Sequence, residues 1–341
     1  MLDQAFGRLS PDIAIDLGTC NTRVFVRGKG IGIEVPTVVS VERTGNARRV
    51  VALGDEAKRM LGRTPEHIEA LRPVRAGRIE DYGLVQALVQ DCIERSLQGR
   101  SLVRPRMIVC MARDTEDVQR RAIQEAARAI GARTVHLVSK SMAAAIGAGM
   151  PVQQAVCSVV VDLGGGVTEI SAASLGALVD TETVAFGGDD LDDAIAYWIR
   201  EQHNVLVGSR VAELVKQQAA AAVIGREEPD VVVTGRDLTT SIPREIRIRS
   251  GSLVEALAPS LDGVVEGLRR LLSRMSPELS SDVAEHGVLL TGGGAMLRGV
   301  DAYIREATGL SVVVADNPAH ATVIGAGRLL DDDALLERVS L

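Results

Sequence analysis

The stretch IAIDLGTCNTRV, residues 13–24, decides the fold because it recurs as VVVDLGGGVTEI at residues 159–170. In each copy a β-rich run ends in Asp-Leu-Gly, and a Thr, a charged residue and a β-branched residue follow. The copies align Asp16 with Asp162, Gly18 with Gly164 and Thr22 with Thr168. A β-rich run, a glycine turn and a second β-rich run make a hairpin with a polar tip. Two such hairpins about half a chain apart point to two lobes with related cores. A third glycine cluster, VLLTGGGAML at 288–297, reads as a buried strand, a glycine turn and a helix start.

Helical periodicity fills the space between these anchors. Apolar residues at helical spacing predict helices over 117–130, 189–201 and 251–273. The segment 141–149 is small and Ala-rich, which suits close packing between the lobes. Strands alternating with helices indicate an α/β fold.

The chain of 341 residues is 46% hydrophobic and 24% charged, enough to build a large core. Aromatics are only 2%, so the core is aliphatic, which argues against stacking platforms for single-stranded nucleic acid. A net charge of −7 argues against wholesale duplex binding. No apolar run reaches the length of a membrane-spanning helix. Cys20, Cys92, Cys110 and Cys157 show no zinc spacing, and with no secretory signal the expected compartment is the reducing cytoplasm.

An Asp at the end of a buried strand before a glycine turn suits a phosphate site. Glycines let backbone N–H groups approach oxygens closely. A carboxylate repels phosphate, so Asp16 and Asp162 are expected to hold Mg²⁺ through water. Gly292, Gly293 and Gly294 would let a flat base lie against the backbone. Alone, one Asp-Leu-Gly turn reads as an ordinary hairpin, and Gly164–Gly166 is no Walker loop. Two matched copies and a third glycine turn together point to nucleotide binding.

This set resembles the superfamily of actin, sugar kinases and heat-shock chaperone ATPases, and within it the MreB family of bacterial actin-like proteins. The resemblance rests on DIAIDLGTCNT (12–22), AKRMLGRTP (57–65), MAAAIGAG (142–149), PELSSDV (277–283) and LTGGGAMLRG (290–299). It implies an actin-like fold of two lobes, each with a large and a small subdomain, and a nucleotide cleft between them. The implied first large subdomain is 1–32, 67–149 and 316–341, with 33–66 as its small one. The second large subdomain is 150–180 and 245–315, with 181–244 as its small one.

Carried over by this resemblance, ATP and Mg²⁺ are the cofactors. Gly18, Thr19, Cys20 and Asn21 form the first phosphate loop, and Gly164, Gly165 and Gly166 the second. Glu213 and Lys216 should reach the ribose and base, although by spacing alone they read as a solvated helix pair. Gly292–Gly294 should line the adenosine. The implied partners are other copies of the chain in filaments, the inner membrane surface, another MreB and wall-synthesis proteins, but no nucleic acid. Leu2, Phe6 and Leu9 lie on one face of a short amphipathic N-terminal segment, and Leu102 and Val103 form an apolar pair in a basic loop. Both are membrane candidates, and both also read as an ordinary terminus or loop. The expected location is the cytoplasm, at the inner face of the cell membrane.

Two departures bear on hydrolysis. Lys140 stands where the family carries the Glu that positions the attacking water. Val167 stands where the family carries a Thr that helps hold it. A charged Lys cannot accept a proton and Val has no hydroxyl. The expectation is a protein that binds ATP and hydrolyses it weakly, with Lys140 free to pair with the γ-phosphate. The alternatives are that Lys140 faces solvent and another carboxylate such as Glu169 serves, that the chain is a non-hydrolysing regulator of a partner MreB, or that it is a small-molecule kinase of the same fold.

Overall fold

The structure is a computed structural model that describes residues 12–45, 47–97, 104–225 and 229–341. By contact the described residues form two units. One holds the chain up to Val156 with Ser171–Val179 and His320–Leu341, and the other holds Cys157–Ile170 and Asp180–Ala319.

The first unit opens with β1 (Ile13–Leu17), β2 (Asn21–Val26) and β3 (Gly30–Pro36), an antiparallel meander. Next come β4 (Val39–Thr44), β5 (Ala47–Leu53), α1 (Asp55–Met60) and β6 (Ile68–Leu71), with β4 between β5 and β6 in a small sheet. A short hairpin, β7 (Val74–Arg75) and β8 (Arg78–Ile79), leads to α2 (Tyr82–Leu97). Then follow β9 (Arg106–Met111), α3 (Asp117–Ala129), β10 (Thr134–Ser139) and α4 (Lys140–Gly147). The main sheet has the order β10-β9-β1-β2-β3, with β1, β9 and β10 parallel. β1 is buried along its whole length, which is why it reads as an unbroken apolar run until Asp16. In α2 the buried residues Leu84, Val85, Leu88, Val89, Cys92 and Ile93 recur at helical spacing and join the core of this sheet.

A second five-stranded sheet has the order β13-β12-β11-β17-β18. Its strands are β11 (Ser158–Leu163), β12 (Thr168–Ser174), β13 (Ala177–Val184), β17 (Val288–Thr291) and β18 (Val312–Val314). In both sheets three consecutive strands are extended by two later ones, so the sequence repeat reflects a repeated architecture. In the second unit α5 (Gly188–His203) follows β13, then β14 (Val205–Leu206), α6 (Ser209–Ala219), β15 (Asp230–Asp237) and β16 (Pro243–Arg249). The rest is α7 (Val254–Ser273), α8 (Pro277–His286) and α9 (Val300–Thr308). The helix expected from residue 251 begins as a 3-10 turn at Ser250–Leu253, and the helix after the third glycine cluster starts only at Val300, past a 3-10 turn at Gly293–Met296.

The chain returns to the first unit as α10 (Ala321–Leu329) and α11 (Asp333–Val339). The Ala-rich α4 packs within this unit, backbone against backbone on α10. A Cβ on Gly147 would fall on the Ala321 carbonyl, and one on Gly325 on that of Ala143. Among the described residues no helix is long and apolar enough to cross a membrane.

Candidate functional site

Both repeat hairpins close in the same way. The Gly18 amide donates to the Asn21 carbonyl at 3.0 Å, and the Gly164 amide to the Val167 carbonyl at 3.1 Å. A Cβ would lie 2.6 Å from that carbonyl oxygen at Gly18 and 2.5 Å from it at Gly164. Neither glycine has positive φ. Close approach, rather than left-handed backbone, therefore demands glycine at both. The aligned Thr22 and Thr168 are fully buried. Thr22 shares a hydrogen bond with the Thr37 hydroxyl, and Thr168 donates to the Phe186 carbonyl.

The first loop is braced by its own unit. Thr37 donates to the Gly18 carbonyl at 2.8 Å, the Thr19 hydroxyl accepts from the Gly77 amide at 3.1 Å, and the Cys20 carbonyl accepts from the Thr37 amide. Gly18, Cys20 and Asn21 are partly exposed and Thr19 is buried.

Lys140 joins this loop because of strand register. Asp16 lies opposite Cys110, and Cys110 opposite Val138, across three parallel strands. The carboxyl ends of β1 and β10 thus share one edge, where ligands of parallel sheets collect. Lys140 follows two residues after Val138. Its Nζ donates to the Leu17 carbonyl at 2.7 Å and sits 3.2 Å from Asp16 Oδ1. The side chain is 20% exposed, so it is not turned out to solvent. Arg23 approaches the other oxygen of Asp16 at 3.5 Å, and also binds Glu34 at 2.7 Å, which in turn meets His320 at 2.8 Å. The pairing with Arg23 and His320 holds the Glu34 carboxyl below its usual range despite partial burial, which opposes this.

The second unit brings two of the glycine clusters together. The Thr291 hydroxyl donates to Asp162 Oδ1 at 3.2 Å. Gly292 has φ +81°, and a Cβ there would meet the Leu163 carbonyl and Asp162 Oδ1. A Cβ on Gly294 would lie 2.8 Å from that of Leu163. Gly293 is exposed with open space around it. The Gly164–Gly166 loop is tied to the start of α5, where Gly188 and Asp189 amides donate to the Gly164 and Gly165 carbonyls at 3.0 and 2.7 Å. Val167, partly exposed, offers its carbonyl to Gly164 and no side-chain hydroxyl. Glu169 is buried in β12.

Lys216 lies on α6 and reaches α5. Its Nζ donates to the Gly188 carbonyl at 2.7 Å and sits 2.9 Å from Asp192 Oδ1. Burial pushes the Asp192 carboxyl up to about 6, against the pull of Lys216, with Glu213 and Asp189 adding to the rise. Glu213 accepts from the Gln217 side chain at 3.3 Å. Leu2, Phe6, Leu9, Leu102 and Val103 lie outside the described residues.

A divalent cation does not suit Asp16 as the first unit is folded, because Lys140 and Arg23 already stand at its two oxygens. Asp162 Oδ1 accepts from a neutral group, the Thr291 hydroxyl. Among the described residues no cluster of three or more His, Cys, Asp or Glu could hold a metal.

Sequence reading missed Arg23, Glu34, Thr37 and Asp192. The one signal was Arg23 itself, a charged residue at the repeat position shared with Glu169. The others depend on partners far along the chain.

The MreB/Mbl protein family model matches residues 10–338. The chain is 42% identical to the cell shape-determining protein MreB of Escherichia coli strain K12, over 97% of this chain and 96% of the relative. It is 38% identical to the cell shape-determining protein Mbl of Bacillus subtilis strain 168, over 94% of this chain and 96% of that one. The ADP-bound crystal structure of MreB5 of Spiroplasma citri superposes with a TM-score of 0.90 at 26% identity, over 97% of this chain and 98% of that one. A double helical MamK filament structure shares the fold, with a TM-score of 0.77 at 19% identity, over 95% of this chain and 99% of that one. The chain has the actin-like fold and belongs to the MreB/Mbl family.

Proposed function

We propose that this chain is an ATP-binding cell-shape protein that assembles into membrane-associated filaments and turns over ATP poorly. The observation that carries the reading is the pair of matching glycine hairpins, each closed by the same hydrogen bond at the end of a strand bearing an Asp. The Spiroplasma citri MreB5 structures with ADP and with AMPPNP support nucleotide binding here. Gly18–Asn21 and Gly164–Gly166 would take the phosphates and Gly292–Gly294 the adenosine. Mg²⁺ would supply charge neutralisation for the phosphates, with Asp162 as its carboxylate. Glu213 and Lys216 stay near the ribose in this reading, Lys216 acting through the Gly188 carbonyl it already holds.

Weak hydrolysis follows from two side chains. Orienting the water is much of what such a site contributes, and losing that orientation costs about 10²–10⁴ in rate. Lys140 is committed to Asp16 and the Leu17 carbonyl, and Val167 has no hydroxyl. The test is steady-state phosphate release from the parent and from Lys140→Glu combined with Val167→Thr. We expect a low parental rate and a clear gain in the double variant. A parental rate equal to that of an ordinary MreB would sink the reading.

Assembly is tested by pelleting with ATP, alone and with anionic vesicles. Deleting residues 1–9 and changing Leu102 and Val103 to Asp should release protein from the vesicles, since each buried apolar side chain contributes about 1.5–3 kcal/mol. A chain that binds ATP and never pellets would instead be a regulator of a partner MreB.

A further inference from the structure

We infer that Lys140 is a built-in counter-ion for the first phosphate loop, so that Asp16 does not recruit a metal in this chain. The inference rests on the ATP-binding reading and narrows it, leaving the metal requirement to the second unit.

Three observations converge. The first is the geometry. Lys140 Nζ is 3.2 Å from Asp16 Oδ1 and is anchored by the Leu17 carbonyl one residue further along the loop. The second is where the lysine stands. It is the first residue of α4, whose first turn holds no acidic residue and whose N-cap Ser139 turns its hydroxyl to Ser141 rather than capping the helix backbone. A cation is electrostatically misplaced at a helix N-terminus. Folding nonetheless keeps it there, partly buried, because a carboxylate faces it.

The third is the state of Asp16. Its side chain is 8% exposed, and Oδ1 has no hydrogen-bond partner despite the nearby ammonium. What Oδ1 lacks is a hydrogen-bond donor in good geometry. It does not lack positive charge. A divalent ion arriving here would meet Lys140 and Arg23 as like charges in a partly dehydrated pocket, where such repulsion is strong. A tethered ammonium has the further advantage of being held in place by the fold, with no entropy of capture.

The inference makes the metal dependence a property of residue 140. The test compares ATP affinity by calorimetry in excess MgCl2 and in EDTA, for the parent, Asp16→Asn, Lys140→Gln and the combined variant. In the parent and in Asp16→Asn the ratio of the two affinities should agree within about twofold. In Lys140→Gln it should rise about tenfold or more, as expected for an ionic hydrogen bond gained only with metal. In the combined variant it should return to the parental value, because the freed carboxylate is gone. A drop in the ratio on Asp16→Asn alone, or no rise in Lys140→Gln, overturns the inference.

A second readout needs no nucleotide. MnCl2 alone should raise the melting temperature of Lys140→Gln above its shift in the parent, and parental stabilisation that vanishes in Asp16→Asn would again overturn it. Should Lys140→Gln not fold, the parent and Asp16→Asn decide the matter by both readouts. Absence of ATP binding in every condition would instead defeat the functional reading, while the manganese result would still judge Asp16.

Discussion

Gly18 and Gly293 are both glycines in candidate ligand loops, and different forces keep them so. At Gly18 an added methyl would press on the Asn21 carbonyl and open the hairpin. Gly18→Ala should therefore lose about 1–3 kcal/mol of stability, read in urea unfolding, and weaken ATP binding with it. At Gly293 nothing in the fold opposes a side chain. Gly293→Val should leave the unfolding curve in place while sharply reducing ATP affinity, because only a ligand would meet the added methyls. Loss of stability in Gly293→Val, or undiminished affinity, would remove the adenosine assignment. Asp192 gives a pH signature. Its folded pKa of about 6 lies above the ordinary value of 3.8, so the folded state holds the proton more tightly. The stability this contributes is present below pH ~4 and is lost as pH rises through about 6. Asp192→Asn should flatten that part of the stability-against-pH profile, followed by urea midpoints from pH 4 to 7.

Among the elements of the first unit, α4 and α10 pack backbone against backbone. Ala143 and Gly147 face Ala321 and Gly325, and each glycine lets one helix backbone touch the other. Gly325→Ala should cost about 3 kcal/mol, the upper end of ordinary overpacking, because the obstacle is a carbonyl rather than a flexible side chain. Gly83→Ala in the exposed first turn of α2 meets only Asp81 Oδ1 at 3.4 Å. It should be neutral or slightly stabilising, since alanine favours helix over glycine. Differential scanning calorimetry of the two variants separates packing from propensity. The small residues of α4 were legible in the sequence as a close-packing surface. Their partner was not, because a run of Ala and Gly permits close approach without specifying to what.

At the level of the whole molecule, the last residues of the chain knit into the first sheet through Asp12. This carboxylate is 4% exposed; it accepts from the Arg106 amide at 2.9 Å and faces the Arg27 and Arg106 guanidinium groups. Those arginines also hold Asp331, Asp333 and the Leu330 carbonyl. Asp12→Ala removes the buried carboxylate the two arginines share and leaves the Arg106 amide without its acceptor, and it should cost about 3 kcal/mol, measured by urea unfolding. The sequence by itself determined the paired hairpins, the helices α3, α4, α5 and α7, and the family. These depend on contacts a few residues apart: a glycine beneath a carbonyl three residues on, or an apolar side chain one turn away. Only the tertiary structure decided what the charged side chains do. Lys140 and Leu17 are 123 residues apart and meet because β1, β9 and β10 run parallel in one register. Lys216 turns to Asp192 because α5 and α6 bring them within reach. A long cationic side chain has several possible partners in the sequence, and burial beside one particular carboxylate selects among them.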